Sequence, residues 1–160
     1  MVNLNLLVNQ FFTENEYDKL ASKMVVVRND GINVYSNIDN SFETSSIGAL
    51  VSGVWQAASS LSSMTRDQAE QDEFRLSFDT SLNGIHILPL RILGEIYFIC
   101  AIFSEEENPA KLKRYIRLLR DNLEVYLSEL SYDDNKNREG YLFTNISDSE
   151  MDNLFSFGGV

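Results

Sequence analysis

The stretch that decides the fold is Thr44–Thr65, TSSIGALVSGVWQAASSLSSMT, which carries no charged residue in a chain whose formal net charge is -11. Apolar residues recur in it at helical spacing, which predicts an amphipathic helix over 43–64. The side opposite the apolar stripe is small and uncharged instead of rich in Lys and Glu, so we expect a second surface to cover it. The predicted stripe contains Ile47, Leu50, Val51, Val54, Trp55, Ala58, Leu61 and Met64.

Two other settings for this helix are open. It could be the central helix of one domain, buried on all sides by its own chain. It is also long enough to cross a membrane. Seven serines and Gln56 oppose a membrane span, and neither a basic cluster nor an aromatic belt flanks the stretch.

The remaining patterns predict the order helix, two strands, helix, three strands, helix. Asp30-Gly31 and Asn83-Gly84 are hairpin turn signals, and Asn40 has the position of a helix N-cap. After Leu130 the pattern dissolves. We therefore expect one domain over 1–130 and a flexible acidic tail over 131–160. The predicted helices start at Leu4, span 43–64 and span 109–130, and the predicted strands are 24–27, 32–35, 73–79, 85–90 and 95–103.

Composition excludes several classes of function. The chain has 24 acidic and 13 basic residues, a balance that opposes binding to nucleic acid or to an anionic membrane. Cys100 is the only cysteine, which rules out a disulfide framework and fits a cytoplasmic protein. No signal peptide is recognisable at the N-terminus. His86 is the only histidine and sits in an apolar strand. With no second catalytic partner and no phosphate-binding glycine loop, we expect neither an enzyme nor a cofactor or metal site.

The chain resembles the roadblock family of dynein light-chain type, and within it the MglB-type bacterial regulators of small Ras-like GTPases. The resemblance rests on the element order αββαβββα and covers about residues 3 to 130. It is carried by VVVRNDG at 25–31, TSSIGAL at 44–50 with Ala57-Ala58, and the strand 96–103. It implies an α+β fold in which a five-stranded antiparallel sheet has two helices on one face and one on the other.

The same resemblance implies a non-catalytic homodimer that binds a small Ras-like GTPase in its GTP form. Pairing through the second helix and third strand would cover the uncharged helix and the open strand edge. The expected dimer contacts are Ala49, Ser52, Gly53, Gln56, Phe74, Leu76 and Phe78, and the expected GTPase contacts are Ser45, Ser52, Gln56 and Ser59. Arg66 is the residue to test as an arginine finger, and we expect it to be dispensable.

Two further interpretations remain. A ligand-sensing or protein-interaction domain of PAS or profilin-like build would mix helices and strands similarly, but it should enclose a cavity with polar groups, of which these strands offer few besides His86. The tail has capping-box spacing at Ser147 and Glu150. It also resembles the peptide of a flagellar switch protein that binds response regulators, which implies a second protein partner. The alternative is that the tail folds back onto its own domain, over the basic face of Lys113, Arg117 and Arg120. The expected docking residues are Glu150, Met151, Asp152, Leu154 and Phe155.

Overall fold

The computed structural model describes residues 3–17, 22–65, 75–79, 83–104 and 108–144, with side chains at all of these except 65 and 131–144. By internal contacts the chain divides into two units, residues 1–127 and 128–160, and the last helix contributes to both. The helices are α1 (Leu4–Glu14), α2 (Ser41–Thr65) and α3 (Pro109–Thr144). The strands are β1 (Lys23–Arg28), β2 (Asn33–Ser36), β3 (Leu76–Asp79), β4 (Asn83–Ile92) and β5 (Glu95–Ser104).

The five strands form one sheet in the order β2-β1-β5-β4-β3, and every neighbouring pair is antiparallel. Central strand β5 pairs along its length with β4, from Asn83 opposite Ser104 to Ile92 opposite Glu95. Its other side pairs with β1, where Val25 lies opposite Cys100. Three helices with a five-stranded antiparallel sheet confirm the predicted α+β fold class.

The two faces of the sheet carry separate apolar cores. On one face, Met24 and Val26 of β1 pack with residues of α1 and α3 such as Phe12 and Leu119. On the other face, the alternate residues Val25 and Val27 pack with α2. Because neighbouring side chains of a strand point to opposite faces, α1 and α3 lie on one side of the sheet and α2 lies on the other.

Positive backbone angles mark the β1–β2 and β4–β5 hairpins. The predicted turn at Asn83-Gly84 is wrong, because both residues lie in β4 and pair with β5. Gly31 has φ 87° in the predicted β1–β2 turn, where the Asp30 side chain also accepts a hydrogen bond from the Ile32 N–H at 3.2 Å. Leu93 and Gly94 form the two-residue β4–β5 turn with φ 52° and 84°. Positive φ at both positions is the signature of the hairpin turn that matches strand twist, and it suits Gly better than Leu.

The helix boundaries differ from the predicted ones in two places. Helix α2 begins at Ser41 instead of Glu43, with the predicted cap: Asn40 Oδ1 accepts from the N–H groups of Phe42 and Glu43 at 3.0 and 3.1 Å. The prediction that the last helix ends at Leu130, before a linker over 131–139, is wrong, because α3 continues to Thr144. No proline follows Pro109 in the sequence, so nothing in the polar stretch forces the helix to stop. The division into a domain and a tail at 130 stays a prediction.

Candidate interaction surface on helix α2 and strand β3

Close backbone packing fixes helix α2 against the β1–β2 hairpin. A Cβ atom added at Gly48 would lie 2.5 Å from the Gly31 carbonyl oxygen, a distance that real Cβ atoms do not adopt. Next to this contact, the Asn33 side-chain amide donates to the Thr44 carbonyl at 2.9 Å. This close contact fixes the rotation of α2 about its own axis. The rotation in turn decides which side of the helix faces the sheet.

The sheet-facing side of α2 is narrow. Ile47, Val51 and Trp55, each one helical turn after the last, pack on the core of this face. The Trp55 ring lies against Phe98 of β5 with ring centroids 4.7 Å apart. These contacts leave the neighbouring apolar positions of the helix without a partner inside the described part of the chain.

A second apolar stripe on α2 faces outward. Leu50 and Leu61 are 66% and 65% exposed, and Val54 and Met64 are exposed as well. The prediction that these residues share the core-facing stripe with Ile47 and Val51 is therefore wrong. The exposed stripe is Leu50, Val54, Ala57, Leu61 and Met64. Its alternating steps of four and three residues are the spacing of a helix seam that packs on another helix.

Ser52 does not lie on the outward side. Its side chain is buried, and its hydroxyl donates to the Asn29 carbonyl at 2.6 Å, which ties α2 to the β1–β2 turn. This hydrogen bond occupies the Ser52 hydroxyl inside the fold, and the expectation that Ser52 contacts a GTPase or a second subunit stays a prediction. Helical spacing alone placed it among the small residues of the back, and only the tertiary contact shows its role.

The other expected contact residues of α2 are accessible. Ala49, Gly53 and Gln56 are exposed on the same flank as the outward stripe, and Gln56 donates to the Ser52 hydroxyl at 3.2 Å. Ser45 and Ser59 are also exposed. Ser45 borders an open surface groove of about 550 Å³ between the N-terminal end of α2 and strand β2, lined also by Gly31, Ser36 and Asp39. The structure thus presents these side chains to solvent, and their partners stay a prediction.

Strand β3 is the outermost strand on its side of the sheet. Leu76 is half-buried against the α2-side core, while Phe78 is 44% exposed. The described strand begins at Leu76, and the expected contact Phe74 lies outside the described residues. Arg66 and the C-terminal motif 150–155 lie outside them too. The expected roles of these residues remain predictions.

The one histidine and the one cysteine of the chain are both buried. His86 is buried on β4, where Ser77 Oγ lies 3.3 Å from its Nδ1 atom. Burial, together with the charges of Lys113, Arg117 and Arg75, lowers its pKa to about 4. Burial raises the pKa of the Cys100 thiol to about 12, which keeps it protonated and unreactive. Among the described residues there is no group of His, Cys, Asp and Glu that could hold a metal ion.

In the part of the chain that the structure describes, no helix is both long and apolar enough to cross a bilayer. For α2 this agrees with its serine content.

Solved structures share this architecture. The roadblock/LC7 domain from Streptomyces avermitilis has a TM-score of 0.59 at 15% identity, over 78% of this chain and 98% of that one. The gliding protein MglB from Thermus thermophilus has a TM-score of 0.60 at 14% identity, over 81% and 93%. A structure of MglB with a tetrameric arrangement has a TM-score of 0.58 at 13% identity, over 81% and 93%.

Sequence comparison alone finds no such relationship. No protein-family model matches the chain. No curated protein matches it in sequence. The likeness therefore lies in the backbone, and it covers nearly the whole length of the solved domains. The chain has a roadblock-type fold of the MglB kind.

Proposed function

We propose that this protein is a non-catalytic, dimeric regulator that binds a small Ras-like GTPase. The observation that carries the proposal is the outward apolar stripe of α2, which includes Leu50, Val54 and Leu61. Contiguous exposed apolar side chains on one helix face favour burial against a partner. The heptad-like steps of this stripe suit a second copy of the same helix.

The small residues around the stripe support close pairing. Ala49 and Gly53 flank it, and a Cβ atom built at Gly53 meets nothing within 4 Å. Two helices can approach closely where their contacts are Ala and Gly, so the backbone of one copy can lie near that of the other. The tetrameric arrangement of one solved MglB is a precedent for self-association of this fold.

The GTPase partner follows from the roadblock resemblance. A pair of α2 helices would form a composite platform with Ser45, Gln56 and Ser59 on its accessible flanks. Uncharged hydroxyl and amide groups can donate to or accept from a partner's backbone without a charge to desolvate. Any stimulation of a GTPase would come from ordering the GTPase's own groups, as the resemblance implies, and Arg66 stays the residue to test as an arginine finger.

The direct test combines the purified protein with a small Ras-like GTPase encoded in the same genome, loaded with either GDP or a non-hydrolysable GTP analogue. We expect a complex containing two copies of this chain, bound more tightly to the GTP-analogue form, by titration calorimetry and light scattering. Ser45→Ala with Ser59→Ala should weaken the complex while the chain stays dimeric. Absence of binding to every such GTPase in both nucleotide states would refute the proposed partner.

A further inference from the structure

Basic side chains surround the buried histidine at the corner of the sheet where α3 lies over β4 and β3. His86 is only 4% exposed, and Ser77 of β3 lies opposite it in the sheet, with Ser77 Oγ 3.3 Å from His86 Nδ1. Lys113 and Arg117 of α3 lie close enough to the imidazole to act on its charge, and so does Arg75, the residue before β3. The imidazole is therefore enclosed by cations from two elements of the fold.

This corner is positively charged although the chain has a net charge of -11. Asp79 of β3 lies beside Lys113, but the distance of 3.7 Å between Lys113 Nζ and Asp79 Oδ2 is longer than that of an ordinary charge-assisted hydrogen bond. Arg75 and Arg117 form no ion pair within the described part of the chain. Around the imidazole, three described cations thus face one described carboxylate, and a dianion would offset the excess of two positive charges.

The imidazole also has a hydrogen-bonding group that the fold leaves unpaired. Nδ1 of His86 lies beside the Ser77 hydroxyl, whereas Nε2 is buried and has no hydrogen-bond partner among the described residues. Buried polar atoms are nearly always paired, and a neutral imidazole has one donor and one acceptor nitrogen. A hydrogen phosphate ion carries both acceptor oxygens and an O–H donor, so it can pair with Nε2 in either tautomer of the ring.

The position of the cluster favours a small anion over a polymeric one. Ser77 and Arg75 are exposed and the Lys113 side chain is 26% exposed, so an ion can arrive from solvent by displacing only flexible side chains. The negative charge of the whole chain repels nucleic acid and anionic membranes. A small ion in contact with the cluster interacts mainly with the cations beside it, because more distant charges are screened.

We propose that this corner of the sheet is a binding site for a small phosphate dianion, either inorganic phosphate or the phosphate group of a small phosphomonoester. Guanidinium groups suit such an ion because their parallel N–H groups match two of its oxygens. The ammonium group adds charge, and the hydroxyl and Nε2 form hydrogen bonds to the ion. The binding groups are those of Arg75, Ser77, His86, Lys113 and Arg117. The site lies on the face of the sheet opposite to α2, so the proposal is independent of the proposed dimer and its GTPase.

Titration with sodium phosphate at pH 7 and constant ionic strength, with chloride replaced, tests the site. Because His86 is the only histidine, the imidazole signals in a long-range ¹H–¹⁵N NMR spectrum report on this corner alone. We expect them to shift to saturation with phosphate. The melting temperature should rise as well, since a ligand that binds only the folded chain stabilises it. Glycerol phosphate is titrated in parallel, and the tighter of the two ligands identifies the source of the phosphate group.

Variants locate the binding groups. Lys113→Gln and Arg117→Gln each remove one of three cations, and each should weaken phosphate binding about tenfold, the usual effect of losing a hydrogen bond to a charged group. Arg114→Gln is the matched control, because it removes an exposed charge from the same helix outside the cluster, and it should bind phosphate like the wild-type chain. Circular dichroism checks that each variant is folded.

Two outcomes would overturn the site. One is an imidazole spectrum that stays unchanged at about 50 mM of either ligand, roughly fifty times a ~1 mM dissociation constant. The other is an equal loss of binding in the Arg114 and Arg117 variants, which would indicate a general response to charge on α3. Neither outcome bears on the dimer or on the GTPase, which are tested separately.

Discussion

The two faces of the sheet are covered in different ways. On the α1/α3 face, two helices close a core rich in aromatic rings. The ring of Phe12 stacks on that of Tyr35 with centroids 3.7 Å apart, and the rings of Phe11 and Tyr126 have centroids 5.2 Å apart. On the α2 face, one helix, uncharged from Thr44 onward, packs on the sheet and leaves its own outer apolar stripe exposed. One face completes its core within the chain, while the other presents an apolar surface outward.

The two faces should therefore contribute to different processes, one to folding and the other to association. Large side chains on the α1/α3 face are fully buried, so their burial already stabilises the folded monomer. The leucines on the outside of α2 gain little from folding, because they are still in water afterwards. They would be buried only in a complex with a partner, so substitutions there should weaken assembly and leave the fold intact.

The largest effect should come from placing a charge on the outside of α2, compared with the same charge on α3. Leu61 of α2 and Leu118 of α3 are similarly exposed, at 65% and 54%. Leu61→Glu should weaken dimerisation more than about a hundredfold, because the contact would bury unpaired carboxylates. Leu118→Glu should leave the dimer intact. Light scattering against concentration measures both. Equal dissociation of the two variants would contradict the assignment of the interface to α2.

A smaller effect should come from the one buried imidazole on the α1/α3 face. The pKa of His86 is about 4 in the folded chain, below its ordinary value of 6.5, because of burial and the nearby charges of Lys113, Arg117 and Arg75. The unfolded chain therefore binds a proton first as pH falls, and the stability conferred by a neutral His86 is present above pH 6.5 and lost between pH 6.5 and 4.

The wild-type chain should accordingly lose about 2–3 kcal/mol of unfolding free energy relative to His86→Gln between pH 7 and pH 4. Urea titrations of both chains at each pH give this difference, and the comparison removes the contribution of the carboxylates common to both. If the difference in unfolding free energy between the two chains does not change with pH, His86 is not buried as a neutral group.

The smallest effects should distinguish the two sides of α2 itself. Gly48→Ala forces a Cβ atom against the Gly31 carbonyl and should cost about 1–3 kcal/mol of stability. Gly53→Ala meets open space and should add roughly 0.5–1 kcal/mol, since alanine favours a helix over glycine. Both are measured by urea unfolding in the Leu61→Glu background, where association is removed. If both substitutions changed the unfolding free energy in the same direction, Gly48 would not face the β1–β2 hairpin while Gly53 faces outward.

The sequence was sufficient to predict the element order, the Asn40 cap and the Gly31 turn, because each depends on local chemistry. It could not predict which side of α2 faces the sheet. In an uncharged helix, the stripe that begins at Ile47 and the one that begins at Leu50 both have helical spacing, and the choice is made by the Gly48–Gly31 contact. The burial of Ser52 could not be predicted either, since its hydrogen-bond partner, Asn29, is distant in sequence.

The continuation of α3 shows a different limit. Beyond Leu130 the helix carries no regular apolar stripe, and periodicity is the main signal by which a helix is recognised. The structure shows that the backbone stays helical through this polar stretch. A helical stretch without an apolar stripe in its sequence can therefore be missed by pattern, even when it contains no proline.

The buried thiol of Cys100 has a practical and a biological consequence. With a pKa of about 12, roughly one thiol in 10⁵ is ionised at neutral pH, so oxidants and alkylating reagents find almost no nucleophile. To redox chemistry the folded chain behaves as if it had no cysteine, and changes in cellular redox state have no thiol through which to act on it. A cysteine placed on the outside of α2 would be the sole reactive site for a fluorophore or spin label, and assembly could be followed without background from the native thiol.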